Sequence, residues 1–294
     1  MENFLTVQKS LLGIFFMLVG IFLLSTMDAL AKYLLEQYGI FQILALRSCV
    51  TIGILFFLVS IKKNFVSTIK TSRLKSQILR GICGLSAVFL FFLSLKKIPL
   101  ADATALFFVS TFFLIILSRI ILREQVQVFK WVAVVVGFLG MILIVNPSRE
   151  INLYSILPVL AAFFYALMMI ATRFLSHTES NLTLLLYQST VTLLISSLFL
   201  PFYWVGIGSN ILLFILIGFL ATFAHLIIIQ ALRYTSISSL APYEYTGIIW
   251  SVIFGYFIWN EKPLILFWIG SSIIILSGII IFINEKNIKI NKKF

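Results

Sequence analysis

The chain has 294 residues, of which 61% are hydrophobic and only 11% charged, and its mean hydropathy is +1.12. That balance lies far outside the range of soluble domains and defines a polytopic membrane protein. The formal net charge of +12 therefore bears on membrane topology, and nucleic acid is not an expected partner.

A bilayer core of about 30 Å needs about 20 mostly apolar residues for each helical crossing. Read between charge clusters and Gly, Pro and Asn breaks, the sequence predicts an all-α protein of ten transmembrane helices. They fall at 11–31, 40–61, 77–97, 100–122, 127–146, 153–174, 182–204, 210–232, 237–259 and 263–284. Helices seven and eight share an uncharged stretch, Asn181 to Ala224, divided only by Pro201 and GIGSN, so their ends are the least defined. Continuous apolar runs, rather than alternating ten-residue segments, exclude a transmembrane barrel. The first helix lacks a short apolar core followed by a small-residue cleavage site and is expected to be retained. Cys49 and Cys83 fall within predicted helices without metal-ligand spacing, which assigns them to packing.

Basic residues are strongly sided. With ten helices, the two tails and the even-numbered connections share a face that collects Lys62, Lys63, Lys70, Arg73, Lys75, Arg80 and many others. The opposite face carries only Lys32, Lys96, Lys97, Arg149 and Lys262. The positive-inside rule then puts both termini in the cytoplasm, with the Lys62 to Arg80 segment along the anionic inner leaflet.

The two halves resemble each other. Leu95 to Gln125 aligns with Leu232 to Lys262 at an offset of 137, which matches Glu124 with Glu261 and sets Phe107 against Glu244. Earlier in the chain an offset of 141 sets Lys32 against Arg173 and Arg47 against Gln188. The expected organisation is one five-helix repeat over 1–146 and another over 147–294. An odd number of helices per repeat makes the copies inverted, an architecture that carriers use for alternating access around a midplane site.

An ionisable residue within a span costs about 2.5–3.5 kcal/mol even on a lenient insertion scale, so each one calls for a reason. Asp28 falls near the outer end of helix one, with Lys32 at i+4 as a local ion-pair partner. Arg47 lies roughly 10 Å into helix two. Glu244 and His225 lie at similar depths in helices nine and eight, where a His–Glu pair would suit proton coupling because imidazole titrates near neutrality. The alternative is a buried hydrogen bond that only locks the two helices. Pro242 would free a backbone carbonyl beside Glu244, a disruption tolerated where backbone lines a wet cavity or is buried in protein. Tyr243, Tyr245 and Trp250 are candidate aromatic lining for a cationic or amphoteric solute, with Tyr187 and Gln188 as further polar lining. Glu124 and Glu261 end equivalent helices and are expected to pair structurally, Glu261 with Lys262 or a neighbouring helix end.

No paired acidic motif, HExxH, Gly-rich phosphate loop or nucleophile elbow is present in the sequence, so neither an enzyme nor a cofactor or metal is expected. The alternative of another class is a membrane-embedded lipid-modifying enzyme, whose reactive groups would cluster at one membrane face.

Several stretches resemble the EamA type of the drug/metabolite transporter superfamily. They are DALAKYLLEQYGIFQILALRSCV, LRGICGLSAVFLFFLSLKKIPLADATAL, IILREQVQVFKWVAVVVGFLGMILIVNP and ALRYTSISSLAPYEYTGIIWSVIFGYFIWNEKP. The resemblance covers nearly the whole chain. Within that family, WVAVVVGFLGMILIVNP and APYEY are most similar to carriers of S-adenosylmethionine uptake, although Glu244 stands where those carriers often have a basic residue. What the resemblance implies is a secondary active transporter of the bacterial inner membrane, moving a small amphoteric or cationic metabolite such as S-adenosylmethionine or an amino-acid derivative. Export of amino acids and import of a vitamin such as riboflavin are the alternatives within the family. Protons or a counter-transported solute are the candidate coupling partners.

Overall fold

The computed structural model describes residues 2–61, 70–121, 128–145, 153–176, 178–234, 240 and 243–291. Among them every regular element is a helix: α1 (Glu2–Leu34), α2 (Ile40–Ser60), α3 (Leu74–Leu95), α4 (Leu100–Phe107), α5 (Ser110–Ile121), α6 (Val128–Val145), α7 (Ile156–Leu175), α8 (Asn181–Tyr203), α9 (Ile211–Tyr234), α10 (Thr246–Trp259) and α11 (Ile265–Asn291). Single 3₁₀ turns precede α7 and α9. Seven stretches are long and apolar enough to cross a bilayer, α4 and α5 together making one of them, and α6, α10 and α11 carry shorter apolar stretches. Outward-facing side chains such as Phe57, Leu198, Phe202 and Phe257 remain exposed, as lipid-facing surfaces require.

The ends of α2, α3, α6, α7, α8 and α9 fall within three residues of the ranges expected from sequence, because polar breaks and apolar runs alone delimit them. Pro201 stays inside the last turn of α8. Gly208, at φ +54°, then turns the chain in a left-handed conformation that a side chain would strain. Gln42 ties this connection to α2: its amide accepts from Val205 N at 3.0 Å and donates to Val205 O at 2.6 Å.

Two departures matter for function. The fourth span is not one helix but breaks at Phe108–Val109, where the bonding shifts to shorter i→i−3 contacts such as Val109 N to Leu106 O at 3.3 Å. In the ninth span the helical turn at Tyr243–Glu244 is interrupted at Tyr245, and α10 runs from Thr246. At the offset of 137, Tyr245–Thr246 is the equivalent of Phe108–Val109. The disruption that sequence reasoning reserved for Pro242 in the second half is thus present in the first half without a proline, and Pro242 itself lies outside the described residues. Phe108 and Tyr245 meet each other with ring centroids 5.3 Å apart.

Packing exchanges the halves. The first span lies along the eighth (α1 on α9), and the third lies along the sixth (α3 on α7) in the corresponding way. Likewise α2 touches α9 as α8 touches α3, while α2 with α8, α4 with α10, and α6 with α11 pair across the middle. This is the contact pattern of a pseudo-two-fold axis relating two five-span repeats. At the α6–α11 crossing, a Cβ on Gly140 would stand 2.7 Å from Gly270 O and one on Gly270 would stand 2.5 Å from Gly140 O, so glycine at both positions is what lets the backbones touch.

Candidate functional site

The ion pair expected between Asp28 and Lys32 does not form. Lys32 instead pairs with Glu261, 229 residues away, and lies over the Trp259 ring at 5.0 Å. The other Glu261 oxygen accepts the Leu100 amide at 2.9 Å, capping the start of α4 with a negative group where the helix dipole favours one. Asn260, at φ 53°, turns the chain back so that Glu261 N reaches Gly255 O at 3.0 Å. A Cβ on Gly255 would lie 2.8 Å from the same carboxylate. Glu261 therefore meets a neighbouring helix end, one of the two outcomes its position suggested. Its counterpart Glu124 lies outside the described residues.

Freed of Lys32, Asp28 faces a chamber between the two halves. The cavity has a volume of about 110 Å³. Its wall is apolar and aromatic, supplied by Phe91 and Phe92 on α3, Phe107 and Phe108 on the fourth span, and Tyr165 on α7. Glu244 enters just before α10, only 3% exposed, and accepts a hydrogen bond from the Tyr165 hydroxyl at 3.2 Å. The Phe107 ring, at the counterpart of Glu244, lies tilted against Tyr165 with centroids 5.1 Å apart, so the two equivalent positions look into one chamber.

A second, polar space, small at about 20 Å³, lies between α2, α3, α8 and α9. It is lined by Arg47, Ser48, Thr51, Gln188, Ser189, Thr192 and His225, and it shares Gly84, Gln188 and His225 with the chamber. His225 Nδ1 donates to Ala221 O at 2.7 Å, which leaves Nε2 without the hydrogen in the neutral ring. The structure records no hydrogen bond between His225 and Glu244, so the anticipated direct pair is replaced by two groups facing a common space.

Of the residues singled out from sequence, Asp28, Gln188, His225 and Glu244 line the chamber, and Arg47 lines the polar space. Four others line neither. Tyr245 is buried against Phe108, Trp250 packs its ring on Phe22 at 4.7 Å, Tyr243 packs beside the core around Leu240, and Tyr187 is half-buried on α8. Neighbours of Glu244 in sequence lie about 100° away around a helix, so its aromatic neighbours turn from the space it enters.

Sequence reasoning assigned Arg80 to the basic cytoplasmic face, and the structure corrects this. Arg80 is 1% exposed, and its guanidinium donates to Thr172 Oγ1 at 3.1 Å, Gln188 Oε1 at 2.9 Å and Leu184 O. It thereby fixes which way the Gln188 amide points. The only advance signal was its position within the third apolar span. Cys83 is buried in the core, whereas Cys49, expected to pack, is exposed.

Helices paired about a two-fold, with broken spans around a chamber between the halves, are an architecture on which membrane carriers are built. The profile of the EamA-like transporter family matches residues 11–146 and again 152–283, and the chain belongs to that family. It is 30% identical over 277 residues to an S-adenosylmethionine uptake transporter of Rickettsia prowazekii (strain Madrid E), covering 93% of each chain. A riboflavin transporter of Vibrio cholerae is 28% identical, covering 90% of this chain and 91% of that one. A pseudopaline exporter of Pseudomonas aeruginosa is 26% identical, covering 91% and 94%. A solved crystal structure superposes with a TM-score of 0.73 at 16% identity, over 94% of this chain and 98% of the other, a likeness of fold.

Proposed function

We propose that the protein is a secondary carrier of the bacterial inner membrane, with both termini cytoplasmic, that moves a small amphoteric or cationic metabolite by alternating access between repeats 1–146 and 147–294. The observation that carries this reading is the pair of carboxylates, Asp28 and Glu244, facing an aromatic chamber without an ion pair to either among the described residues. Carboxylate charge and aromatic faces together attract an organic cation. The relatives named for S-adenosylmethionine uptake support a sulfonium amino acid as the first solute to try.

Breaks at Phe108–Val109 and Tyr245–Thr246 give each half a discontinuous span beside the chamber, the element on which carriers commonly build midplane sites. Glu244 and His225 are the candidates for coupling to protons. The test is uptake of radiolabelled S-adenosylmethionine into proteoliposomes with and without an imposed pH gradient. Saturable uptake that falls at least tenfold in Glu244→Gln is expected. Uptake and gradient dependence unchanged in Glu244→Gln would remove that carboxylate from the mechanism.

A further inference from the structure

Arg47 poses a problem that the cation reading leaves open. It is 8% exposed, and the only acceptor within its reach among the described residues is the thioether of Met27, at 3.8 Å from Nη1. Thioether sulfur is a weak acceptor. Its Cζ also stands 6.0 Å from the Phe92 ring centroid. A guanidinium carries five donors, and the nearest counter-charge, Asp28, attracts Arg47 without touching it, which leaves most of those donors unmet. No carboxylate lies within ion-pair distance of it among the described residues.

The small space beside Arg47 is lined largely by hydrogen-bond donors. Ser48 and Ser189, 3% and 6% exposed, line it and make no hydrogen bond among the described residues, so both hydroxyl protons are available. Thr51 and Thr192 spend theirs on the carbonyls of Arg47 and Gln188 in their own helices, at 3.0 Å each. Gln188, with its oxygen held by Arg80, donates one amide proton to the Met168 sulfur at 3.2 Å, beside Gly84, where a Cβ would lie 2.6 Å from that nitrogen. The donors thus comprise one fixed cation and several neutral groups.

We infer that this polar space is the carboxylate subsite of the transported solute: Arg47, helped by the Ser48 and Ser189 hydroxyls, takes the carboxylate while the solute's cationic end lies in the chamber with Asp28 and Glu244. The inference rests on the amphoteric reading of the chamber and adds the orientation of the solute across it. A single guanidinium matches the one charge of a carboxylate, and its planar fork fits the two oxygens. A phosphate would bring up to two charges close to Asp28 and Glu244, which disfavours it.

The test uses pairs of probes that differ only in the carboxylate: S-adenosylmethionine against its decarboxylated form, and methionine against 3-(methylthio)propylamine. Dissociation constants are read from thermal stabilisation of the purified full chain, since only a solute that binds the folded state raises its stability. In the wild type the carboxylate member is expected to bind more tightly by about 30-fold, the scale of truncating one partner of a buried charge pair. Arg47→Met should abolish that preference while leaving the binding of the amine member intact, and Arg47→Lys should keep part of it. Should Arg47→Met not fold, Ser189→Ala and Arg47→Lys carry the test, each expected to shrink the preference several-fold. Equal binding of the two members by the wild type overturns the subsite but leaves the cation reading standing. A preference undiminished in the Arg47 and Ser189 variants places the carboxylate elsewhere and likewise overturns it. Stabilisation by inorganic phosphate alone, lost in Arg47→Met, would refute the carboxylate in favour of a phosphate. Failure of every probe to stabilise the wild type refutes both the subsite and the amphoteric chamber.

Discussion

Replacing Glu261 by glutamine removes the charge that Lys32 meets but leaves an acceptor for the Leu100 amide. The pair is held largely out of solvent, with side-chain exposures of 10% for Lys32 and 17% for Glu261, so solvent screening discounts it little. A hydrogen bond to a charged group contributes about 1.5–3 kcal/mol. The Trp259 ring, 5.0 Å from the ammonium, would still offset about 0.5–1 kcal/mol of what Lys32 loses. The expected net destabilisation by Glu261→Gln is therefore about 1–2 kcal/mol. Glu261→Ala also strips the acceptor 2.9 Å from Leu100 N, a donor that has no partner inside its own helix, and the cost rises to about 3–5 kcal/mol. The assay is reversible unfolding in detergent followed by tryptophan fluorescence, run as a double-mutant cycle with Lys32→Met. A coupling of about 1–2 kcal/mol is expected. Coupling within about 0.3 kcal/mol of zero would show that the two side chains do not hold one another, and the assignment of Glu261 as the clamp between α1, α4 and α10 would fail.

Gly270→Ala should lower stability by about 1–3 kcal/mol, because its Cβ would press on the Gly140 carbonyl and force α6 and α11 apart; an unchanged unfolding midpoint would contradict the close crossing. Gly84→Ala should fill the junction between the chamber and the polar space, displacing the Gln188 amide and the Met168 sulfur that lie within 2.8 Å of the added carbon. Solute affinity should fall at least tenfold while the protein stays folded by circular dichroism, and affinity equal to wild type would show that the two spaces work separately. Tyr165→Phe removes the hydroxyl that donates to Glu244 at 3.2 Å, and should change solute affinity by about 1 kcal/mol, measured by isothermal titration calorimetry.

Which parts of this molecule the sequence displays follows from the range of the forces involved. The spans are legible because hydrophobicity over 20 residues is a local property, and α8 and α9, the least sharply marked, still end within two residues of expectation. Asp28, Arg47, His225 and Glu244 stand out for the same reason: each is ionisable within an apolar run. Partners do not stand out. Lys32 is drawn to Glu261 across 229 residues rather than to Asp28 one turn away, and nothing in either segment says so. Arg80 hides at the end of a run of basic residues from which nothing local sets it apart. The aromatic wall is hidden by abundance, since 30 phenylalanines give Phe91 and Phe107 no distinguishing mark.

The two-fold relation and its violations have separate consequences. Both halves break their fourth span at equivalent positions, Phe108–Val109 and Tyr245–Thr246, and those breaks meet through the Phe108 and Tyr245 rings. Backbone and packing therefore follow the repeat. Side chains at the chamber do not. Glu244 stands where the first half has Phe107, and the two come together at Tyr165, whose ring Phe107 approaches at 5.1 Å while its hydroxyl reaches Glu244. Arg47 on α2 likewise faces Gln188, its own counterpart, across the polar space. Each departure from symmetry turns a pair of equivalent positions into one charged and one uncharged wall. A symmetric scaffold can exchange its two halves between the membrane faces, but it cannot by itself tell one end of a solute from the other. If the solute lies as proposed, Glu244 and Arg47 supply that distinction, one negative and one positive, in two spaces that share Gly84, Gln188 and His225.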